Sequence, residues 1–181
     1  MIHFATTNPG KFREAKALFE KNNLELSQFN EELTEIQTDD VEQLALHSVR
    51  EAYEKLKQPV FVEDAGIFIK SLKGFPGVYS KQAYLTIGLK GILKLLEGVE
   101  DRSAEFCAVI AYKDGSGEKV FKGVCIGNIS REVRGRGGFG FDPIFLPKGR
   151  EKTFAEDVET KSNLSHRANA LSKLIGHLKN G

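Results

Sequence analysis

The apolar pattern begins with a short run at residues 2–6, which predicts a buried strand. Asn8 and Pro9 then begin a helix, because Asn is a favoured N-cap and Pro fits the first helical position. Apolar residues recur at helical spacing over the segment that follows, so one of its faces is predicted to pack on a core. These apolar residues are Phe12, Ala15 and Phe19.

The next stretch repeats this alternation of strand and helix. Residues 24–26 predict a short strand, Asp39 precedes a longer predicted helix, and Pro59 ends that helix. The apolar run at residues 60–62 predicts a buried strand that ends in Glu63-Asp64-Ala65-Gly66, with a turn at the glycine.

The C-terminal half carries a strong hairpin signal. Residues 103–112 and 119–129 are both strand-like, and the turn-forming segment 113–117 joins them. The mixture of a hairpin with strand–helix alternation predicts an α/β fold with a mixed sheet. The other predicted elements of this half are a helix at residues 85–96, a Gly- and Arg-rich loop at 134–140, a short strand at 144–146 and a last helix at 164–178.

Composition narrows the class of protein. A chain of 181 residues with 40% hydrophobic and 28% charged residues is an ordinary globular chain, predicted as one domain over residues 1–181. Lys and Arg number 26 against 25 Asp and Glu, so any basic site must be local. No run approaches 18 apolar residues and no signal peptide is evident, which predicts no membrane partner.

The two cysteines, Cys107 and Cys125, both lie in strand-like runs. The simplest interpretation is a pair of reduced thiols in the cytoplasm, and one disulfide between them is the alternative.

The first candidate site is the predicted strand-to-helix turn around Asn8. Free backbone N–H groups and the helix dipole favour an anion there, and Thr6, Asn8 and Lys11 add a hydroxyl, an amide and a cation. The alternative is that Asn8 only caps the helix while Lys11 is solvated.

The second candidate is the acidic pair Glu63-Asp64, placed at the carboxyl end of a predicted strand. Ligands bind at that edge of open α/β sheets, and hard carboxylate oxygens suit Mg²⁺ shared with substrate phosphates. The alternative is two acids that end a strand in water.

The third candidate is the segment Phe139-Gly140-Phe141-Asp142. Its rings could stack on a flat base and Asp142 could bind the edge of that base, or both rings could simply fill the core. Gly135, Gly137 and Gly140 match a dinucleotide-binding spacing, but a strand rather than a helix is predicted to follow, so this assignment is rejected.

The fourth candidate is the segment 161–167, predicted to begin the last helix. Lys161, Ser165, His166 and Arg167 would supply donors and cations to an anion or a carbonyl group there. The alternative is capping of that helix by Ser162 or Asn163, whose side chains favour the N-cap.

These motifs resemble, in order and spacing, the inosine triphosphate pyrophosphatase family. The resemblance rests on Thr6-x-Asn8-x-x-Lys11, Glu63-Asp64-x-Gly66, Gly74-x-Pro76-Gly77, Phe139-Gly140-Phe141-Asp142-Pro143 and Ser165-His166-Arg167. It implies hydrolysis of ITP, dITP and XTP to the monophosphate and pyrophosphate with Mg²⁺. It also implies an elongated mixed sheet flanked by helices, two lobes with the active-site cleft between them, and a homodimer.

The resemblance also implies a role for each matching residue. Asn8, Lys11 and Lys161 would hold the triphosphate, with Thr6, Gly140 and Lys81 as further substrate contacts. Glu35 and Asp64 would hold the metal with Glu63 close by, and Asp64 would activate water. Phe139 and Phe141 would flank the base, and Asp142, Ser165, His166 and Arg167 would bind its edge.

Two other functions stay open at this point. One is a pyrophosphatase that acts on other modified nucleotides. The other is an RNA-binding module, in which the arginine–glycine segment 134–138 and the neighbouring phenylalanines bind single-stranded bases.

Overall fold

The computed structural model describes residues 1–180, which form a mixed α/β fold. Two short 3₁₀ helices cover Lys70–Leu72 and Asp142–Ile144. In chain order the other elements are β1 (Ile2–Ala5), α1 (Pro9–Lys21), β2 (Leu26–Phe29), α2 (Val41–Leu56), β3 (Val60–Ile69), β4 (Pro76–Gly77), α3 (Ser80–Thr86), α4 (Gly88–Leu95), β5 (Ser103–Asp114), β6 (Gly117–Ile129), β7 (Phe145–Pro147), α5 (Val158–Leu164) and α6 (His166–Asn180).

The described strands belong to one seven-stranded sheet. Its order is β2-β1-β3-β5-β6-β7, and β4 pairs with β3 beside this path. β1 runs parallel to β2 and to β3, whereas β4 is antiparallel to β3 and β7 is antiparallel to β6. The predicted mixed sheet is therefore confirmed.

The chain divides into two compact units. The first unit contains residues 1–64, 108–123 and the segment from Arg167 onward, and the second contains residues 65–107 and 124–166. The cleft between two lobes, which the family resemblance implies, stays a prediction.

Stacked aromatic rings form the core of the first unit. The rings of Phe4 and Phe61 stack with centroids 4.4 Å apart, and Phe19 stacks on Phe61 at 5.8 Å. All three side chains are fully buried, together with Ala15 of α1. The predicted inward face of the first helix is therefore confirmed for Ala15 and Phe19, whereas Phe12 is half-buried.

The second unit has its own core, centred on β5, β7 and the loop that precedes α5. Phe106 packs against Phe145 with ring centroids 4.6 Å apart, and Phe154 lies 5.2 Å from Phe145. Aliphatic side chains complete the cluster, among them Ile67, Ile69, Ile92, Leu96, Ile129 and Ile144.

Several boundaries differ from those predicted by sequence. β2 begins at Leu26 rather than Leu24, and the cap of α2 is Asp40 rather than Asp39. The Asp40 carboxylate accepts the N–H groups of Glu42 and Gln43, which identifies it as the N-cap. Two neighbouring aspartates carry the same local signal, so the sequence pattern alone does not distinguish them.

The helical regions of the second unit are also more divided than predicted. The helix predicted over residues 85–96 covers the end of α3 and all of α4, which are separate helices because Gly88, the first residue of α4, has φ +63° and cannot continue the right-handed helix α3. α5 was not predicted; it is capped by the Asp157 carboxylate, which accepts the Thr160 N–H at 2.9 Å.

Both cysteines are buried as reduced thiols, so the disulfide alternative is wrong. Burial raises the pKa of the Cys125 thiol to about 11. Of the helices within residues 1–180, none combines the length and the apolar character needed to cross a membrane.

β3 is longer than predicted and runs through Gly66 to Ile69, so the expected turn at Gly66 is wrong. Gly66 lies against β4: a Cβ atom there would come within 2.1 Å of the Gly77 carbonyl oxygen. The Ser80 hydroxyl fixes the same corner, since it donates to that oxygen at 2.6 Å and accepts the Ile67 N–H at 2.9 Å. A side chain at residue 66 would therefore push two hydrogen-bonded strands apart.

We expect Gly66→Ala to destabilise the protein by about 1–3 kcal/mol, the range for overpacking a closed site. Urea unfolding followed by circular dichroism measures this free energy. Gly176→Ala is the matched control, because an added methyl group inside α6 meets no atom within 4 Å. That control should leave stability unchanged or raise it, as Ala is the better helix former. Equal stability of the Gly66 variant and the control would contradict the packing argument.

Candidate active site

The turn from β1 into α1 places a polar cluster at the start of the helix. The Asn8 side-chain oxygen accepts the N–H groups of Gly10 and Lys11 at 2.9 and 3.0 Å, and the Thr6 hydroxyl oxygen accepts the Asn8 N–H at 3.2 Å. Asn8 thus caps α1, as the alternative interpretation of this turn predicted. An anion at this turn would still meet the positive end of the α1 dipole.

Lys11 is held in place rather than solvated. Its Nζ donates to the Glu63 carbonyl oxygen at 2.8 Å and lies 3.8 Å from the Glu63 carboxylate. The side chain is 19% exposed. The ammonium group is therefore fixed against β3, with part of its surface open.

Glu63 and Asp64 lie in the middle of β3, not at its end as predicted. Successive side chains of a strand point to opposite faces, so these two carboxylates separate. The Glu63 side chain is fully buried, while Asp64 is half-buried. The carboxylates of Glu63 and Asp64 therefore lie in different surroundings.

A buried guanidinium holds Glu63. Arg167 Nε donates to one Glu63 carboxylate oxygen at 2.6 Å, and Nη2 donates to the other at 2.9 Å. Nη1 donates to the Glu14 carboxylate at 2.7 Å. Burial alone disfavours the guanidinium charge, but the Glu63 and Glu14 carboxylates outweigh it and raise the pKa of Arg167 above its ordinary value.

Arg167 is the second residue of α6, where the helix dipole is positive and disfavours a cation. The two acidic partners therefore offset both burial and the dipole. Glu14 was not predicted as a site residue, because its partner Arg167 lies 153 positions away along the chain. The expected roles of Glu63 near a metal and of Arg167 at a base edge stay predictions.

A second buried ion pair lies in the second unit. Asp142 is 2% exposed, and its carboxylate accepts the Lys161 ammonium at 2.6 Å and the Phe139 N–H at 2.7 Å. The Lys161 Nζ also lies 4.2 Å from the centroid of the Phe139 ring, within range of a cation–π interaction. Three residues predicted to bind substrate are thus brought together.

Phe141 and Phe139 differ in their surroundings. Phe141 is buried in the apolar cluster and meets Tyr84 edge-on with ring centroids 5.8 Å apart. Phe139 is half-buried. The core-filling alternative therefore describes Phe141, whereas Phe139 keeps an accessible surface. Between them Gly140 has φ +60°, which favours glycine there.

The segment predicted as the start of the last helix is divided between two helices. Lys161 lies in α5, and Ser165 separates that helix from α6, which begins at His166. The predicted capping of the last helix by Ser162 or Asn163 is wrong, since both side chains donate to the Glu159 carbonyl oxygen in α5.

His166 and Ser165 are both buried in the second unit. The His166 imidazole stacks on the Phe106 ring with centroids 4.5 Å apart. Lys81 is exposed in the first turn of α3. The substrate contacts assigned to these residues stay predictions.

The candidate metal ligands are Glu35 and Asp64. Glu35 is exposed in the segment between β2 and α2, and Asp64 is half-buried in β3. In residues 1–180 there is no group of three or more His, Cys, Asp or Glu side chains that could hold a metal. Mg²⁺ commonly takes one or two carboxylates and completes its shell with water and substrate phosphates. Accessible carboxylates at Glu35 and Asp64 fit that chemistry, whereas both Glu63 oxygens accept hydrogen bonds from Arg167.

The chain is an α/β protein in which Lys11 is fixed at the start of α1, beside the acidic residues of β3. A helix start of this kind suits an anionic ligand. Comparison with known proteins identifies the family. The Ham1 family model matches residues 2–177, and the chain belongs to this family. The resemblance found in the sequence motifs is confirmed at that level.

Similar proteins match along nearly their whole length. A dITP/XTP pyrophosphatase of Pyrococcus horikoshii is 50% identical, with 98% of this chain and 96% of the relative covered. A dITP/XTP pyrophosphatase of Thermococcus kodakarensis is 47% identical, with 98% and 97% covered. Among solved structures, the Ham1 protein of Staphylococcus aureus aligns with a TM-score of 0.85 and that of Coxiella burnetii with 0.87. Each of these two is 29% identical and covers 99% of this chain and 98% of its own.

We expect Arg167→Met to destabilise the fold by about 3–5 kcal/mol, because it leaves the Glu63 carboxylate buried without its cation. Chemical denaturation at pH 7 measures the loss. Arg50→Met is the matched control: Arg50 Nε donates to one Glu118 carboxylate oxygen and Nη2 to the other, but the Arg50 side chain is 59% exposed. Water screens that pair, so the control should stay close to the wild-type stability. Similar losses in both variants would show that burial of the Arg167 pair is not the cause.

Proposed function

We propose that this protein hydrolyses non-standard purine nucleoside triphosphates, namely dITP, ITP and XTP, to the monophosphate and pyrophosphate. Full-length similarity to two relatives named dITP/XTP pyrophosphatase, at 47% and 50% identity, carries this proposal. The polar cluster at the start of α1 supports it, because that cluster suits a phosphate chain. Removal of such nucleotides from the nucleotide pool would be the cellular role.

The triphosphate would bind at the start of α1. Asn8 shapes the turn, and the backbone N–H groups and dipole of the helix attract negative charge. Lys11 adds a cation already held in position by the Glu63 carbonyl oxygen, so less side-chain freedom is lost when phosphate binds. Lys161 and Thr6 are further proposed contacts.

Asp64 is the proposed general base. It is half-buried, and its neighbour Glu63 is committed to Arg167, so Asp64 is the carboxylate of this pair that can meet a water molecule. Bound Mg²⁺, held by Asp64 and Glu35, would supply neutralisation of phosphate charge. Hydrolysis at the α-phosphorus would then release pyrophosphate, with the proton of the attacking water accepted by the Asp64 carboxylate.

Base recognition is proposed for Phe139, Asp142, Ser165, His166 and Arg167. ITP and XTP carry a carbonyl group at purine C6, where ATP carries an amino group. Donors aimed at that carbonyl would oppose the amino group of ATP and leave buried polar groups unpaired. A site built to hydrogen-bond its substrate can reject the wrong partner by about 10⁴–10⁵-fold.

A homodimer in the cytoplasm is part of the same proposal. Large apolar side chains on α3, α4 and the turn between them are exposed, which is typical of an interaction surface. They are Tyr84, Leu85, Ile87 and Leu95. Buried reduced thiols are compatible with a reducing compartment.

The RNA-binding alternative gains no support from the arginine–glycine segment. Arg134 pairs with the Glu156 carboxylate at 3.0 Å and donates to the Glu151 carbonyl oxygen at 2.7 Å. Gly135 packs so closely on Ala155 that a Cβ atom would come within 2.5 Å of its backbone. Arg134 and Gly135 therefore contribute to packing within their own part of the chain.

The first experiment measures pyrophosphate release from dITP, ITP, XTP, GTP, ATP and a modified pyrimidine nucleoside triphosphate with Mg²⁺. We expect turnover of dITP, ITP and XTP, and kcat/KM values for ATP lower by about 10⁴-fold or more. Omission of Mg²⁺ with a chelator present should abolish turnover. Equal hydrolysis of ATP and ITP would contradict the account of base recognition, and turnover of modified pyrimidine nucleotides alone would favour the alternative pyrophosphatase.

We expect Asp64→Asn to lower kcat for dITP by about 10²–10⁴-fold, the usual share of a general base, while nucleotide still binds. Single-turnover kinetics and calorimetric titration with a non-hydrolysable dITP analogue measure the two effects separately. Asp101→Asn is the control, since Asp101 is an exposed aspartate whose carboxylate lies 3.2 Å from Lys70. Near-wild-type turnover by the Asp64 variant would exclude the proposed role.

A further inference from the structure

The segment that carries Glu35 has no regular secondary structure of its own. It spans residues 30–40 between β2 and α2, and most of its side chains are exposed. The backbone of such a segment is free to sample many conformations unless contacts from elsewhere fix it. A carboxylate on it can contribute to a metal site only if its position is restricted.

One exposed face of α2 supplies these contacts. The Glu51 carboxylate accepts the Thr34 N–H at 2.8 Å, and Thr34 directly precedes Glu35. Lys55, one turn later on α2, lies 3.0 Å from the Glu51 carboxylate and 3.7 Å from that of Glu31. Two side chains of one helix therefore reach the segment at two points before Glu35.

The hydrogen bond from the Thr34 N–H to the Glu51 carboxylate is stronger than the contact between Lys55 and Glu31. A carboxylate that accepts a backbone N–H forms a charge-assisted hydrogen bond. The Thr34 N–H, followed by Lys55, holds the pKa of Glu51 below its ordinary value, so the carboxylate is charged at neutral pH. Lys55 also donates to the Glu32 carbonyl oxygen at 3.4 Å, which adds a second backbone contact.

We propose that Glu51, oriented by Lys55, is a positioning residue that fixes the backbone next to Glu35 and thereby sets the affinity of the enzyme for Mg²⁺. This inference rests on the proposed function, in which Glu35 is a metal ligand. Groups that orient metal ligands without touching the metal commonly change metal affinity by about 10–100-fold when they are removed. Glu51 acts one step further out, through the backbone of Thr34, so we expect the lower end of that range.

The test compares Glu51→Ala with Glu51→Gln. We expect Glu51→Ala to raise the Mg²⁺ concentration for half-maximal pyrophosphate release from dITP by about 10-fold, with kcat restored at saturating Mg²⁺. Glu51→Gln should have a smaller effect, because its amide oxygen still accepts the Thr34 N–H. Alanine is the best helix former, so α2 should remain folded in the first variant.

The second readout does not depend on activity. Amide hydrogen exchange should be faster across residues 30–40 in Glu51→Ala, and the Thr34 amide should change most. Glu54→Ala is the matched control: Glu54 lies on the same helix and is exposed, but its carboxylate pairs with Lys57 just after the helix instead of with the segment. It should change neither the Mg²⁺ dependence nor the exchange.

Glu35→Gln separates this inference from the proposed function. If Glu35→Gln shifts the Mg²⁺ dependence and Glu51→Ala does not, the positioning role is wrong. If neither variant shifts it while the wild type hydrolyses dITP, the inference is also overturned, because Glu35 then does not serve the metal, but the proposed activity stands. If the wild type hydrolyses none of the nucleotides, the proposed function itself fails.

Discussion

The buried guanidinium of Arg167 is the group on which the polar interior of the first unit depends. It binds Glu63 of β3 through two hydrogen bonds and Glu14 of α1 through a third, so one side chain at the start of α6 connects three elements. Neither burial nor the helix dipole favours a cation there, and the two carboxylates compensate for both. The backbone carbonyl oxygen of the same residue, Glu63, accepts a hydrogen bond from Lys11 at the start of α1.

The second unit is also stabilised by a buried ion pair, formed by different residues. The buried Asp142 carboxylate binds Lys161 and also the backbone N–H of Phe139, so charge and loop shape are determined together. In both units the polar groups are held by other protein groups. Such preorganisation lowers the entropy that is lost when a ligand binds to groups of this kind.

Local signals predicted those elements whose ends are determined by a few neighbouring residues. Asn8 and Pro9 marked the start of α1, and the turn before Gly117 marked the hairpin of β5 and β6. Prediction failed where a distant contact decides. β3 continues past Gly66 because β4 and the Ser80 hydroxyl pair with it, and α6 begins at His166 although the polar signals start five residues earlier.

The α/β class, the mixed sheet, the family and most of the candidate site residues follow from the amino-acid sequence, because periodicity, caps and motif spacing are local properties of the chain. The surroundings of those residues follow from the fold. Glu63 and Asp64 are equivalent as letters, yet one is buried against Arg167 and the other is half-exposed. Glu14 and Glu51 carry no motif, and their importance arises from partners far away in the sequence or across a loop. Burial and electrostatic pairing depend on which elements meet, and no local pattern contains that information.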